Sequence, residues 1–260
     1  MADGFSFMKF CNEQTHDEVE KTIAMGVIRH LFQLDQLSLQ KLADRCYTSA
    51  PTLSRFFQKA GFASYRAFRQ EMTRFFNDMN LHRKLAAQRI YPQKDLSGVI
   101  GRCHEQALAN LQGTLDSLDI AEAAAFCRRC LQARTVIIIG DSHELNDFYT
   151  FQLDLLMHGV PVLLLNIHQL NQQTVRLLQA GDLVLFVSVF SGWFLPVHRE
   201  LFLQIRQRGA QVDILAQEKE PFTDLADHLS TYGLPFSVND GYYSLPLISR
   251  IFSDLFHLLS

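Results

Sequence analysis

The chain has 260 residues, a net charge of −3, and 48% hydrophobic and 20% charged residues. That composition can bury a core and excludes a disordered chain, and no run approaches the roughly 18 uninterrupted apolar residues of a membrane span. Residues 1–10 lack the basic start, apolar run and cleavage site of a secretory signal, and five scattered cysteines suit a reducing compartment, so a cytoplasmic protein without membrane contact is expected.

The opening dozen residues carry no clear pattern. From about Asp17, the four-residue spacing of Val19, Ile23, Val27 and Leu31 predicts an amphipathic helix. Ser38 is placed as the N-cap of a short helix over 39–46, with Leu39, Leu42 and Ala43 on its buried side. Tyr47 and Thr48 make a turn, and Ser49 caps a helix running to about Lys59 and stopped by Gly61. In that helix Leu53, Phe56 and Phe57 face inward, leaving Pro51, Thr52, Ser54, Arg55, Gln58 and Lys59 outward. A fourth helix follows from Ser64, with Tyr65, Phe68, Met72 and Phe75 on one side.

Tyr91-Pro92 breaks the pattern, and a boundary is placed there between domains 1–91 and 92–260. Val99, Cys103, Ala107, Leu111 and Leu115 predict a long helix, and 120–131 a second one. The grammar then changes to short, nearly unbroken apolar runs at 135–139, 160–165, 183–188 and 211–215, the pattern of strands covered on both faces. Segments long enough for helices lie between them at 145–158, 169–179 and 195–208. Strand alternating with helix predicts a parallel sheet flanked by helices. Leu245, Ile248, Phe252, Leu255 and Leu259 make an apolar terminal helix, either core or a subunit contact.

Charge is unevenly placed. Residues 38–91 hold ten Lys/Arg against three Asp/Glu, a net of +7 in a chain of net −3, which fits a localised contact with a polyanion. On the outward face of 49–60, small hydroxyl residues at a helix start can approach a phosphate or base edge. An arginine one turn on can bind guanine with two prongs, and a lysine can neutralise a phosphate. The DNA-binding candidates are Ser49, Thr52, Ser54, Arg55, Lys59 and Arg66; of the residues beyond Lys59, Tyr65, Arg66, Arg69 and Arg74 are placed to grip the backbone rather than read bases. Cys127 and Cys130 form a CxxC without a second CxxC or HxxxH, and are read as ordinary helix residues. No metal, cofactor or catalytic group is expected. Asp141, Ser142 and His143 are adjacent in sequence, unlike a triad assembled from separate segments.

Residues 38–69, SLQKLADRCYTSAPTLSRFFQKAGFASYRAFR, resemble the N-terminal domain of the RpiR/MurR family of bacterial transcription regulators. The match lies in Leu42-Ala43, Ser49, Thr52, Arg55, Lys59, Gly61-Phe62 and Phe68, with Ala60 where the family usually has leucine. The resemblance implies an all-α helix-turn-helix domain followed by an α/β sugar isomerase (SIS) domain over 92–260. It also implies effector-binding positions at Ser142, Glu144, Ser188, Ser191 and Gly192. In two loops the chain departs from the family. Gly140-Asp141-Ser142-His143-Glu144 stands where Gly-x-Gly-x-Ser is usual, and Ser188-Val189-Phe190-Ser191-Gly192-Trp193-Phe194 where Ser-x-Ser-Gly-x-Thr is usual. Asp141 and Glu144 thus flank a place where a phosphate would sit, and Coulomb repulsion opposes a dianion there. Trp193, Phe194, His143 and His198 are read as structural in the main.

The expected function is regulation of transcription through a double-stranded DNA operator, by a homodimer or homotetramer, with a phosphosugar or related metabolite as effector. The alternatives are a SIS domain that is only a dimerisation platform and, last, a phosphosugar isomerase.

Overall fold

A computed structural model describes residues 4–13, 17–90, 97–188, 191–217, 224–233 and 238–260. It divides into two compact units, Met1–Leu85 and Ala86–Ser260. The break expected at Tyr91-Pro92 lies outside the described residues.

The first unit is helical: α1 (Gly4–Glu13), α2 (Glu18–Arg29), a 3₁₀ turn over Leu31–Gln36, α3 (Leu39–Arg45), α4 (Ala50–Lys59) and the start of α5 (Tyr65–Ile90). Helix α1 was not expected from the sequence. It forms because Phe7 and Cys11, one turn apart, enter the same core as Leu42, Leu53, Phe57 and Phe68. In α2 the buried residues are Ile23, Ala24, Gly26 and Val27, whereas Val19 is exposed and Leu31 belongs to the 3₁₀ turn. Asp17 caps α2 by accepting from the Val19 and Glu20 amides.

The second unit opens with α6 (Val99–Ser117) and α7 (Ile120–Gln132). The apolar positions of α6 misjudge its buried face: Cys103 and Leu115 are exposed, and Asn110 and Thr114 are buried. The Thr114 hydroxyl reaches the Asn110 carbonyl at 2.9 Å and the Ser244 hydroxyl at 2.6 Å, so hydrogen bonding decides that face.

Beyond these helices come β1 (Thr135–Gly140), α8 (Ser142–Asn146), α9 (Tyr149–Met157) and β2 (Val162–Asn166). A 3₁₀ turn over Ile167–Gln169 leads to α10 (Gln172–Leu177), β3 (Asp182–Ser188), α11 (Ser191–Gln207), β4 (Gln211–Ala216), β5 (His228–Thr231) and α12 (Val238–Leu259). The strands form one parallel sheet in the order β2-β1-β3-β4-β5. The segment expected as one helix over 145–158 is two, divided at Asp147-Phe148.

Side-chain alternation along the strands builds a core on each face of the sheet. Val136, Ile138, Leu183, Leu185 and Val187 pack on the side of Phe126, Phe151 and Phe252. Ile137, Ile139, Val184, Phe186 and Ile214 pack on the side of Val175, Phe202 and Ile205. Three layers result, with helices on both faces as the unbroken apolar runs required. The terminal helix α12 is core, with Leu245, Ile248, Phe252 and Phe256 all buried. Cys127 and Cys130 are buried in α7, where the Cys127 thiol donates to the Phe252 carbonyl. Burial pushes the Cys127 thiol up to about 12. No described helix is long and apolar enough to cross a membrane.

Candidate functional site

Two places concentrate the predicted residues, one in each unit. In the helical unit, Ser38 caps α3 by accepting from the Lys41 amide, and Ser49 caps α4 by accepting from the Thr52 amide at 3.3 Å. The Ser49 and Thr52 hydroxyls also bond each other at 2.8 Å. Behind α4, Leu53 and Phe57 are fully buried. Phe57 stacks on Phe68 with ring centroids 4.2 Å apart, and Phe56 meets Phe10 edge-on at 5.2 Å. The Tyr65 hydroxyl donates to the Leu37 carbonyl at 2.7 Å, tying the start of α5 to the segment before α3.

This packing fixes the outward face of α4. Pro51, Arg55, Gln58 and Lys59 are exposed, and Thr52 and Ser54 are half-buried. Ser49, Thr52, Ser54, Arg55 and Lys59 are therefore brought onto one helix and its cap, whereas Arg66 is exposed on α5. Arg55 keeps its guanidinium open to solvent. Lys59 instead forms an ion pair with Glu20 of α2, a partner the sequence reading missed because it lies 39 positions away. Arg74 is held by both carboxylate oxygens of Glu71, at 2.8 and 2.9 Å.

In the α/β unit the chain order reverses between β1 and β3, so the crevice beyond their carboxyl ends is where a small ligand enters a sheet of this kind. The strands end at Gly140 and Ser188, so Ser142 and Glu144 on α8, Ser188 at the end of β3, and Ser191 and Gly192 at the start of α11 follow those strand ends. Ser191 and Gly192 open α11; the side chains of Ser191, Trp193, Phe194 and His198 lie outside the described positions.

The described groups at the crevice are turned inward. Glu144 is only 5% exposed, and its carboxylate accepts the Asp141 amide at 2.8 Å. A Cβ added at Gly140 would lie 2.9 Å from the same carboxylate oxygen, so a larger residue there would make the Glu144 carboxylate shift from the end of β1. Glu144 thus bonds the loop amide, as an anion supplied by the chain itself. Ser142 Oγ accepts from the Asn166 side chain at 2.7 Å, and Ser188 is buried.

Tyr232, fully buried just past β5, donates its hydroxyl to the Ser188 carbonyl at 3.3 Å. Burial pushes that phenol well up, and the nearby charges of Glu144 and Asp147 add to the effect. Burial also raises the Asp147 carboxyl to about 6 and lowers the His143 imidazole, which Asp141 opposes. Asn166, Asp147 and Tyr232 escaped the sequence reading. Asn166 was discoverable as the polar residue ending a strand beside the crevice; Tyr232 was not, because β5 itself was missed.

No family model and no curated protein matches the chain. Solved structures do. The Vibrio vulnificus NanR protein, complexed with ManNAc-6P, is similar over 96% of this chain and 90% of its own, at 15% identity and a TM-score of 0.52. The sugar isomerase domain of an RpiR transcription factor from Sphaerobacter thermophilus is similar over 62% of this chain and 91% of its own, at 18% identity and a TM-score of 0.53. The shared property is the fold, over nearly the whole chain for the NanR protein and over about three-fifths of it for the RpiR sugar isomerase domain.

Proposed function

We propose that this chain is a DNA-binding transcription regulator of the RpiR/MurR type, reading each half of an operator with α4 and pairing two copies through their SIS-like units. The observation that carries the reading is the outward face of α4: a capped helix with a buried aromatic back and exposed Arg55, in the chain's one strongly basic segment. Ser49, Thr52, Ser54 and Arg55 approach base edges and adjoining phosphates, while Arg66 on α5 grips the backbone. Lys59 joins once it leaves Glu20. Two-fold pairing makes the operator an inverted repeat. A metabolite at the β1/β3 crevice regulates that pairing, and a phosphosugar such as the one bound by the NanR protein is the type of ligand the fold accommodates.

Selection of retained duplexes from a random pool tests the reading. An inverted repeat with half-sites about one helical turn apart, or a multiple of it, is the expected product. Retention of duplexes without any enriched sequence contradicts it.

Glu144 favours a second reading of the α/β unit, as a pairing platform that takes no phosphosugar. Its carboxylate already holds the Asp141 amide and repels a dianion. On this reading N-acetylmannosamine 6-phosphate leaves the thermal midpoint of the native chain unchanged, whereas the Glu144→Ser chain, with the loop amide released, is stabilised as the ligand concentration rises. Equal stabilisation of both chains would restore the phosphosugar effector.

A further inference from the structure

The turn between α3 and α4 contains a residue that costs the fold stability without a visible return. Helix α3 ends with the Tyr47 amide bonded to the Asp44 carbonyl at 3.2 Å and the Thr48 amide bonded to the Ala43 carbonyl at 3.0 Å. That paired pattern needs a left-handed residue in the middle, and Tyr47 supplies it with φ 54°. The same chain closes α4 in the same way, through Gly61 to Gln58 and Phe62 to Phe57, with Gly61 at φ 89°. Helix α9 closes likewise through Gly159 at φ 79°. Among the described residues, every other positive-φ position is glycine. A bulky side chain is a genuine outlier in that region.

Tyr47 is 91% exposed, and among the described residues its side chain has no hydrogen bond and no ring contact to offset this strain. An aromatic ring held out in water, on a strained backbone, two residues before the cap of α4 is placed for something outside the chain.

We propose that Tyr47 is a DNA contact, with its ring against a deoxyribose and its hydroxyl bonded to a phosphate beside the groove that α4 enters. This inference rests on the DNA-binding reading of α4. The basic segment around the turn favours a nucleic-acid partner over a protein one, and tyrosine is among the side chains that position a protein on the phosphate backbone.

The test uses the full chain, the duplex recovered by selection, and the variants Tyr47→Gly and Tyr47→Phe. Because glycine relieves the strain, Tyr47→Gly is expected to unfold at a midpoint equal to or above that of the native chain. Its affinity for the duplex is expected to fall by about three- to tenfold. The slope of affinity against salt stays unchanged, since a neutral phenol releases no counterion. Tyr47→Phe recovers part of the affinity through the ring alone. Stability and affinity thus move in opposite directions, which a purely structural tyrosine does not produce. If Tyr47→Gly binds the duplex as tightly as the native chain while Arg55→Ala does not, the inference is overturned and the α4 reading survives. If the native chain recovers no duplex at all, both fall together.

Discussion

Asp213→Ala is expected to destabilise the α/β unit by about 3 kcal/mol, the lower end of the range for removing one member of a buried ion pair. Asp213 lies on β4 with its side chain 4% exposed, and Arg129 on α7 donates to it through Nε at 2.8 Å and Nη2 at 2.6 Å. Burial pushes the Asp213 carboxyl above the ordinary aspartate range, and the Arg129 guanidinium opposes that rise. Without Asp213, a largely buried guanidinium retains, among the described residues, the Glu122 carboxylate at 2.6 Å. That remaining partner is why the lower end of the range applies. The measurement is urea unfolding followed by tryptophan emission, because the single tryptophan, Trp193, lies in α11 of the α/β unit and reports on that unit. The double variant Arg129→Met, Asp213→Leu should return to within about 1 kcal/mol of the native value, because an apolar pair of similar volume needs no compensating charge. A loss below about 1 kcal/mol for Asp213→Ala would mean that water reaches the pair and screens it.

Arg55→Ala is expected to leave stability unchanged and weaken operator binding by about 10- to 100-fold per half-site, the value of one bidentate contact to guanine. Arg55 is exposed on α4 and has no ion pair among the described residues, so its removal disturbs no packing. If two α4 helices engage one inverted repeat, the loss compounds across the half-sites. The variant should also tolerate any base pair at the position Arg55 reads, which separates a base contact from a phosphate contact. Lys59→Ala, by contrast, removes a charge that already spends itself on Glu20, so its effect on affinity is smaller and uniform across sequences. A uniform loss for Arg55→Ala as well would reassign that residue to the backbone.

The sheet was legible because its strands are simple. Val136 to Ile139 and Leu183 to Val187 are buried on both faces, and continuous burial writes a continuous apolar run. Strand β5 broke the rule: its four residues are all half-buried at the sheet edge, and His228, Ser230 and Thr231 give no apolar run to read. Helix α6 misled for the opposite reason, since Thr114 is buried by its bond to Ser244, 130 positions away. Spacing along one helix carries no information about such a partner.

The two candidate sites were legible to different depths. The face of α4 follows from Ser49, Leu53, Phe56 and Phe57 alone, so the exposed set was readable. At the crevice, the sequence announced that Glu144 was acidic. It did not announce that the side chain folds back over Gly140 onto the Asp141 amide. Tyr47 was placed correctly in a turn, but nothing in a tyrosine signals a left-handed backbone.

The central claim is that α4 reads base sequence. Its most direct test is the ratio of affinities of the native chain for the selected duplex and for a scrambled duplex of equal length, measured at physiological salt. A ratio of about 10³ or more is the expected result for a specific operator reader. A ratio near one, with both affinities falling steeply as salt rises, would show phosphate contact alone and contradict the account.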